Sequence, residues 1–334
     1  MASVLLVPDL LRVIVSFQNG LCVANLRLVG HLRRIHLSNY QLTTFLRDDM
    51  APFHAAFPPW LAAHGMTALG NVLRHKRYYR THLLFYAIIH GHVPLLKYLT
   101  TVEQVRITDK AWALAAIYGH APVAAYLMDH HAESYESSVS DMVALHGHVA
   151  MLQCLYEKGA EIAPTVRNTA CARGRIAVLE FAHAQALGVW HPSGVHAAAR
   201  GGYVDVVAFL HAHAYDGFGP DTMNTAALYG HLDVVRFLHT HRREGCSPEA
   251  LIWAAKYGRL PLVSFLDEMR AERDLTRTLK AAIKHGHIEV VRYLLGRHLR
   301  EIDVKAVKLA AQRYNQGSVL ALLKEARRES CSIQ

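Results

Sequence analysis

The chain has 334 residues, 52% hydrophobic and 19% charged, with a formal net charge of +9. That balance belongs to a core-forming sequence and not to a disordered one, and the lack of any apolar run of eighteen residues argues against a spanning helix. Five scattered cysteines (Cys22, Cys154, Cys171, Cys246 and Cys331), none in a C-x-x-C arrangement, argue against a disulfide framework or zinc module and for a reducing compartment.

Taken in chain order, residues 1–50 read as a small helical region. Short periodic stretches at 9–17, 21–28 and 31–37 are separated by Gln18-Asn19-Gly20 and Gly30. The apolar start lacks a basic leader and is interrupted by Asp9 and Arg12, so it does not read as a signal peptide. Residues 51–81 read as a degenerate first repeat. In it Ala62-Ala63-His64-Gly65 echoes a turn, and Pro58-Pro59 marks the boundary before it.

Residues 82–328 are a repeat array, and 329–334 a short tail. Glycines recur at Gly91, Gly119, Gly147, Gly174, Gly202, Gly230, Gly258 and Gly286, at intervals of 28 residues with a single 27, and Asn315 continues the series after 29. Around each lies the same pattern, as in Ala226-Ala-Leu-Tyr-Gly-His-Leu-Asp-Val-Val-Arg-Phe-Leu238. An Ala-Ala pair ends a first helix with side chains small enough for close approach. Glycine then supplies the positive φ at which a helix stops and the chain reverses, and Asn is the next most tolerant residue there. A second helix follows, with apolar residues at i, i+1, i+3 and i+4 on one buried face. Asp205, Asp233 and Glu289 stand in its first turn, where the helix dipole favours negative charge. One helix pair cannot bury both of its faces, so stability must come from stacking.

This pattern resembles the ankyrin repeat, whose G-H-L-D-V-V-x-x-L core is matched by residues 230–238 and 286–294. The family repeat is typically about 33 residues long, and the shortfall lies between each second helix and the next first helix, where the β-hairpin finger belongs. The resemblance therefore implies an all-α solenoid of about nine stacked ankyrin-like helix pairs with reduced or absent fingers. Residues 1–50 carry Val7-Pro8-Asp9-Leu10-Leu11-Arg12-Val13-Ile14 and Leu26-Arg27-Leu28-Val29-Gly30, which resemble an F-box. That resemblance implies docking on the Skp adaptor of a cullin–RING ubiquitin ligase through Pro8, Leu10, Leu11, Ile14, Leu26 and Val29. A capping bundle that protects the end of the solenoid accounts for the same apolar spacing.

Neither a nucleophile–base constellation nor a phosphate loop, H-E-x-x-H or Walker pattern is found, so no catalysis and no cofactor are expected. The 24 histidines suggest a metal. Equivalent positions such as His183, His211 and His239, or His213 and His241, should however lie about 8–10 Å apart in stacked units, too far to share an ion. Those after the turn glycines (His92, His120, His148, His231, His287) read as partners of the turn. The run Arg74-His-Lys-Arg-Tyr-Tyr-Arg80 is a solvated basic helix, with phosphate or nucleic-acid binding as its alternative.

In ankyrin-like stacks the two positions before each glycine tend to face the concave surface. Here they give one aromatic or imidazole ladder and one that turns basic along the chain. The candidate partner-binding residues are His90, Tyr118, His146, Arg173, Arg200, Tyr229, Lys256, Tyr257, Lys284, His285, Arg313 and Tyr314, since Tyr and Arg are favoured interface anchors. Charge is uneven: +5 over residues 51–100, −4 over 101–150 and +7 over 251–334. The matching end of a protein partner should then be acidic. The expectation is a monomeric binding protein of the cytoplasm or nucleus, either a ligase substrate receptor or a passive scaffold or inhibitor. Nucleic-acid binding is the third reading, and it predicts steep salt dependence abolished by charge reversal at Lys256, Lys284 and Arg313.

Overall fold

The computed structural model describes residues 51–75, 79–269 and 273–332, and the expected helices and F-box-like string of residues 1–50 lie outside them. Among the described residues there are nineteen α-helices and no strand. The chain divides into two compact units, one of residues up to 143 with 150–161, the other of 144–149 with 162 onward.

The first unit opens with α1 (Ala51–His75), then pairs α2 (Tyr79–Ile89) with α3 (Val93–Thr101) and α4 (Asp109–Tyr118) with α5 (Ala121–His131). Helix α2 packs on α3 and α4, and α3 on α5. The expected boundary at Pro58-Pro59 is not there: both prolines sit inside α1, and the break comes at Gly65, with φ +71°. Proline removes helix hydrogen bonds, but the prolines are exposed while Phe57 and Trp60 on either side are buried. Phe57 meets Phe53 and Tyr86 with ring centroids 5.0 and 4.8 Å apart, so aromatic packing holds this segment helical.

Helices α6 (Ser138–His146) and α7 (Val149–Glu157) follow. The second unit pairs α8 (Val166–Ala172) with α9 (Ile176–Ala184), α10 (Ser193–Gly201) with α11 (Val204–Ala212), and α12 (Pro220–Tyr229) with α13 (Leu232–His241). Next come α14 (Glu249–Lys256) with α15 (Leu260–Met269), and α16 (Leu275–Lys284) with α17 (Ile288–His298). The last pair is α18 (Val304–Arg313) with α19 (Gly317–Ser332). First helices α8, α10, α12, α14, α16 and α18 each pack on the next; among second helices, α9, α11 and α13 do likewise, as do α15, α17 and α19.

The periodic sequence accounts for this stacking. All eight turn glycines adopt positive φ, from +65° to +87°, and Asn315 adopts +54°. The alanine pairs Ala198-Ala199, Ala226-Ala227 and Ala254-Ala255 are fully buried, as small residues between close helices should be. Val206, Val207 and Leu210, and their counterparts Val234, Val235 and Leu238, are buried too, each worth about 1.5–3 kcal/mol relative to exposure. The aromatic residue of the pattern is only partly covered (Phe209, Phe237, Tyr293), which frees one of its faces for other contacts. The loops where a finger would stand are short and carry no strand among the described residues.

Candidate protein-binding face

Four of the turns, at Gly91, Gly147, Gly202 and Gly258, are closed by a residue from the following repeat. The Nε2–H of His120 donates to the carbonyl of Ile89 (2.8 Å), that of His231 to Arg200 (2.9 Å) and that of His287 to Lys256 (2.9 Å). Arg175 does the same with its Nε–H, to Leu145 at 3.1 Å. In every case the acceptor lies two positions before the turn glycine of the preceding repeat. These side chains also lie against that glycine: a Cβ at Gly91 would stand 2.9 Å from the ring of His120, and one at Gly258 would overlap His287. Sequence reasoning expected the post-glycine histidines to serve the turn, and the turn these serve is the neighbour's. His92 instead caps its own helix, accepting from the Leu95 N–H at 3.1 Å.

Most pre-turn residues of the second unit that were expected to line the binding face are exposed. Tyr229, Tyr257 and Tyr314 are 46%, 48% and 36% exposed. Arg173, Arg200, Lys284, His285 and Arg313 are exposed as well, and Lys256 and His146 are half-buried. Lys256 and Arg259 lie over the ring of Tyr257, 5.2 and 5.9 Å from its centroid, and Arg313 lies 5.9 Å over that of Tyr314. Desolvation lowers the pKa of His285, and Lys256 and Lys284 lower it further, so cations of two successive repeats converge on one imidazole. Lys284, Arg313 and Tyr314 share the wall of a groove of about 330 Å³ between α16 and α18, with Ala281 and Leu309.

In the first unit His90 is exposed, and its ring also touches neighbouring rings. His90 lies tilted against Tyr86 (4.4 Å) and meets His54 edge-on (4.7 Å). Desolvation lowers its pKa, helped by His120 and His92. Tyr118 is half-buried. The end of the basic run, which forms the start of α2, is spent on structure: Tyr79 is buried, and Arg80 is held by Glu103 at 2.7 Å.

Most of the other histidines have structural partners. His64, His130, His213 and His241 each lie against an aromatic residue four positions earlier and direct Nδ1–H to that residue's carbonyl, at 2.9–3.1 Å. They thereby cap the last turn of their helices. Non-equivalent histidines come closer than equivalent ones were expected to: His183 and His213 have ring centroids 4.5 Å apart. No group of three or more His, Cys, Asp or Glu suited to hold a metal occurs among the described residues.

Two features were missed in the sequence. One is the groove beside Leu309. The other is the buried carboxylate of Asp267, 2.8 Å from His298 and within 4 Å of Arg273 and Arg297. Asp267 stands where His183, His211 and His239 stand in earlier repeats, and that break in the pattern was its signal.

The family model of ankyrin repeats (3 copies) matches residues 195–275 and, overlapping them, 223–308. Residues 195–308 carry ankyrin repeats. The ankyrin match falls within the second unit and takes in the turns at Gly202, Gly230, Gly258 and Gly286. No curated protein matches the chain. Solved structures that match include the human ASB11 ankyrin repeat domain, 18% identical over 56% of this chain and 83% of that one, with a TM-score of 0.38. Ankyrin repeats are in general non-enzymatic scaffolds whose stacked units present an extended protein-binding surface. No helix among the described residues is long and apolar enough to cross a membrane.

Proposed function

We propose that the chain captures a partner protein on the pre-turn face of its second unit, along Arg200, Tyr229, Lys256, Tyr257, Lys284, His285, Arg313 and Tyr314. The observation that carries this reading is the exposure of Tyr229, Tyr257 and Tyr314 at equivalent positions, interleaved with cations. Tyrosine offers a large amphipathic surface at low entropic cost, and arginine and tyrosine dominate binding hot spots. The test is affinity capture from cells with the full chain and with Tyr229→Ala/Tyr257→Ala. Proteins held by the first and lost by the second support the reading, and an unchanged set contradicts it.

Within this reading the chain serves as a substrate receptor of a cullin–RING ubiquitin ligase in the cytoplasm or nucleus. The support is the F-box-like pattern of Pro8, Leu10, Leu11, Ile14, Leu26 and Val29. Purified Skp adaptor should bind the full chain and not a chain lacking residues 1–50 whose helical content is otherwise retained. Failure of the folded full chain to bind leaves the passive scaffold or inhibitor.

A further inference from the structure

The groove between α16 and α18 differs from the surface before it. One repeat earlier, the position five before the turn glycine holds Trp253; here it holds Ala281, and in the last repeat Ala310. Removing the indole leaves room, and Leu309 stands at the edge of that room with 68% of its surface exposed. A single exposed leucine is ordinary. This one adjoins a groove of about 330 Å³ walled by Lys280, Lys284 and Arg313, with no acidic residue in its lining.

Those three cations form no ion pair among the described residues, whereas cations elsewhere in the same repeats do. Arg277 pairs with Glu249 at 2.7 Å, and Arg297 with Glu268 at 2.8 Å. The charge at the groove is therefore uncompensated, and Lys256 and Lys284 together also bear on His285 just beyond it. Like charges gathered on one face disfavour the free state and favour an anionic ligand. An aliphatic floor is suited to an aliphatic side chain; stacking of nucleic-acid bases would need several aromatic platforms, and the groove lining holds Tyr314 alone.

We propose that this groove receives an acidic segment of the partner protein, with one apolar side chain seated between Leu309 and Ala281 and flanking carboxylates on Lys280, Lys284 and Arg313. This rests on the protein-capture reading and narrows it to a partner chemistry. The apolar contact sets register and specificity, and the cations set the association rate and its salt dependence.

The experiment is fluorescence polarisation with the full chain and three labelled ten-residue peptides. One is Asp/Glu-rich with a central leucine, one has serine in place of that leucine, and one has Asn/Gln in place of the acids. The leucine-containing acidic peptide should bind most tightly. Lys284→Glu/Arg313→Glu should weaken it about tenfold or more, and Leu309→Ser several-fold. The serine peptide should bind more weakly and be indifferent to Leu309→Ser. All three residues are exposed, and Lys284→Gln/Arg313→Gln carries the test if the glutamates disturb folding.

Equal binding of the leucine and serine peptides, indifference to Leu309→Ser, no peptide binding, or tighter binding of a ten-nucleotide single-stranded RNA would each overturn the proposal. If the peptides fail while Tyr229→Ala/Tyr257→Ala still loses captured proteins, the groove assignment falls and protein capture stands. If neither variant matters, both fall.

Discussion

The Nε2–H of His287 donates to the carbonyl oxygen of Lys256 across 2.9 Å, so the ring that follows one turn closes the helix end of the repeat before it. The same ring lies over Gly258, where it leaves no room for a Cβ. Helix ends leave carbonyls without intrahelical partners, and here the neighbouring repeat satisfies one of them. The contact joins successive units and also fixes the base from which Lys256 and Tyr257 project.

Removal of this hydrogen bond should weaken the stack measurably. His287→Ala and His231→Ala are each expected to lower unfolding free energy by about 1 kcal/mol, read as a shift in urea midpoint. A larger shift for a surface control such as Arg292→Ala would contradict this.

The turn glycines should differ in their tolerance of alanine. Gly258 and Gly286 both have positive φ, +69° and +78°, but a Cβ at Gly286 meets only Gln316, at 3.5 Å. Gly286→Ala should cost about 1–2 kcal/mol for its conformation alone. Gly258→Ala should cost more, because His287 must also move. Equal losses in paired denaturation curves would remove the packing part of the argument.

Asp267 should be the most sensitive charged position of the second unit. Its carboxylate is buried against His298, with Arg273 and Arg297 nearby. Asp267→Ala leaves the buried His298 ring without its partner, while the more exposed Arg273 and Arg297 can turn to water, and should cost about 1–3 kcal/mol. Asp267→Ala/His298→Ala should cost less than the sum of the two single changes, as measured by a double-mutant cycle.

Acid should destabilise the first unit through His54. Burial, helped by His90, lowers its pKa to about 4 from an ordinary 6.5. Between those values the unfolded chain takes up a proton that the folded chain refuses. Stability is thus full above about pH 6.5 and declines as pH falls toward 4. The ring is only half-buried, so the loss is about 1–2 kcal/mol after allowance for solvent screening. His54→Phe should flatten this part of the pH profile of thermal unfolding; an unchanged slope would assign it to other histidines.

The fold was legible because its signals are local and repeated. Gly202, Gly230 and Gly258 need positive φ, and Val206-Val207 and Val234-Val235 need a buried face, whatever surrounds them. The break at Gly65 could be read from its Ala-Ala-His-Gly string, but the helical course through Pro58-Pro59 depends on Phe57 meeting Tyr86, a contact 29 residues away in sequence. The face of the second unit was partly legible: Tyr229, Tyr257 and Tyr314 stood out by register, and the structure leaves them exposed. His90 followed the same register and is exposed too, but the contacts of its ring with Tyr86 and His54 depend on residues outside the repeat pattern. The Leu309 groove was hidden, because it arises from what Ala281 and Ala310 omit relative to Trp253.

The measurement that bears most directly on partner capture is site-specific photocrosslinking in cells. A benzophenone amino acid is placed singly at Tyr229, Tyr257 and Tyr314, and as controls at Arg236 and Arg292 on exposed positions of the second helices α13 and α17. Capture on the pre-turn face predicts a shared covalent adduct from the three tyrosine positions and none from the controls. Adducts from the controls alone, or none from any tyrosine position, would contradict it.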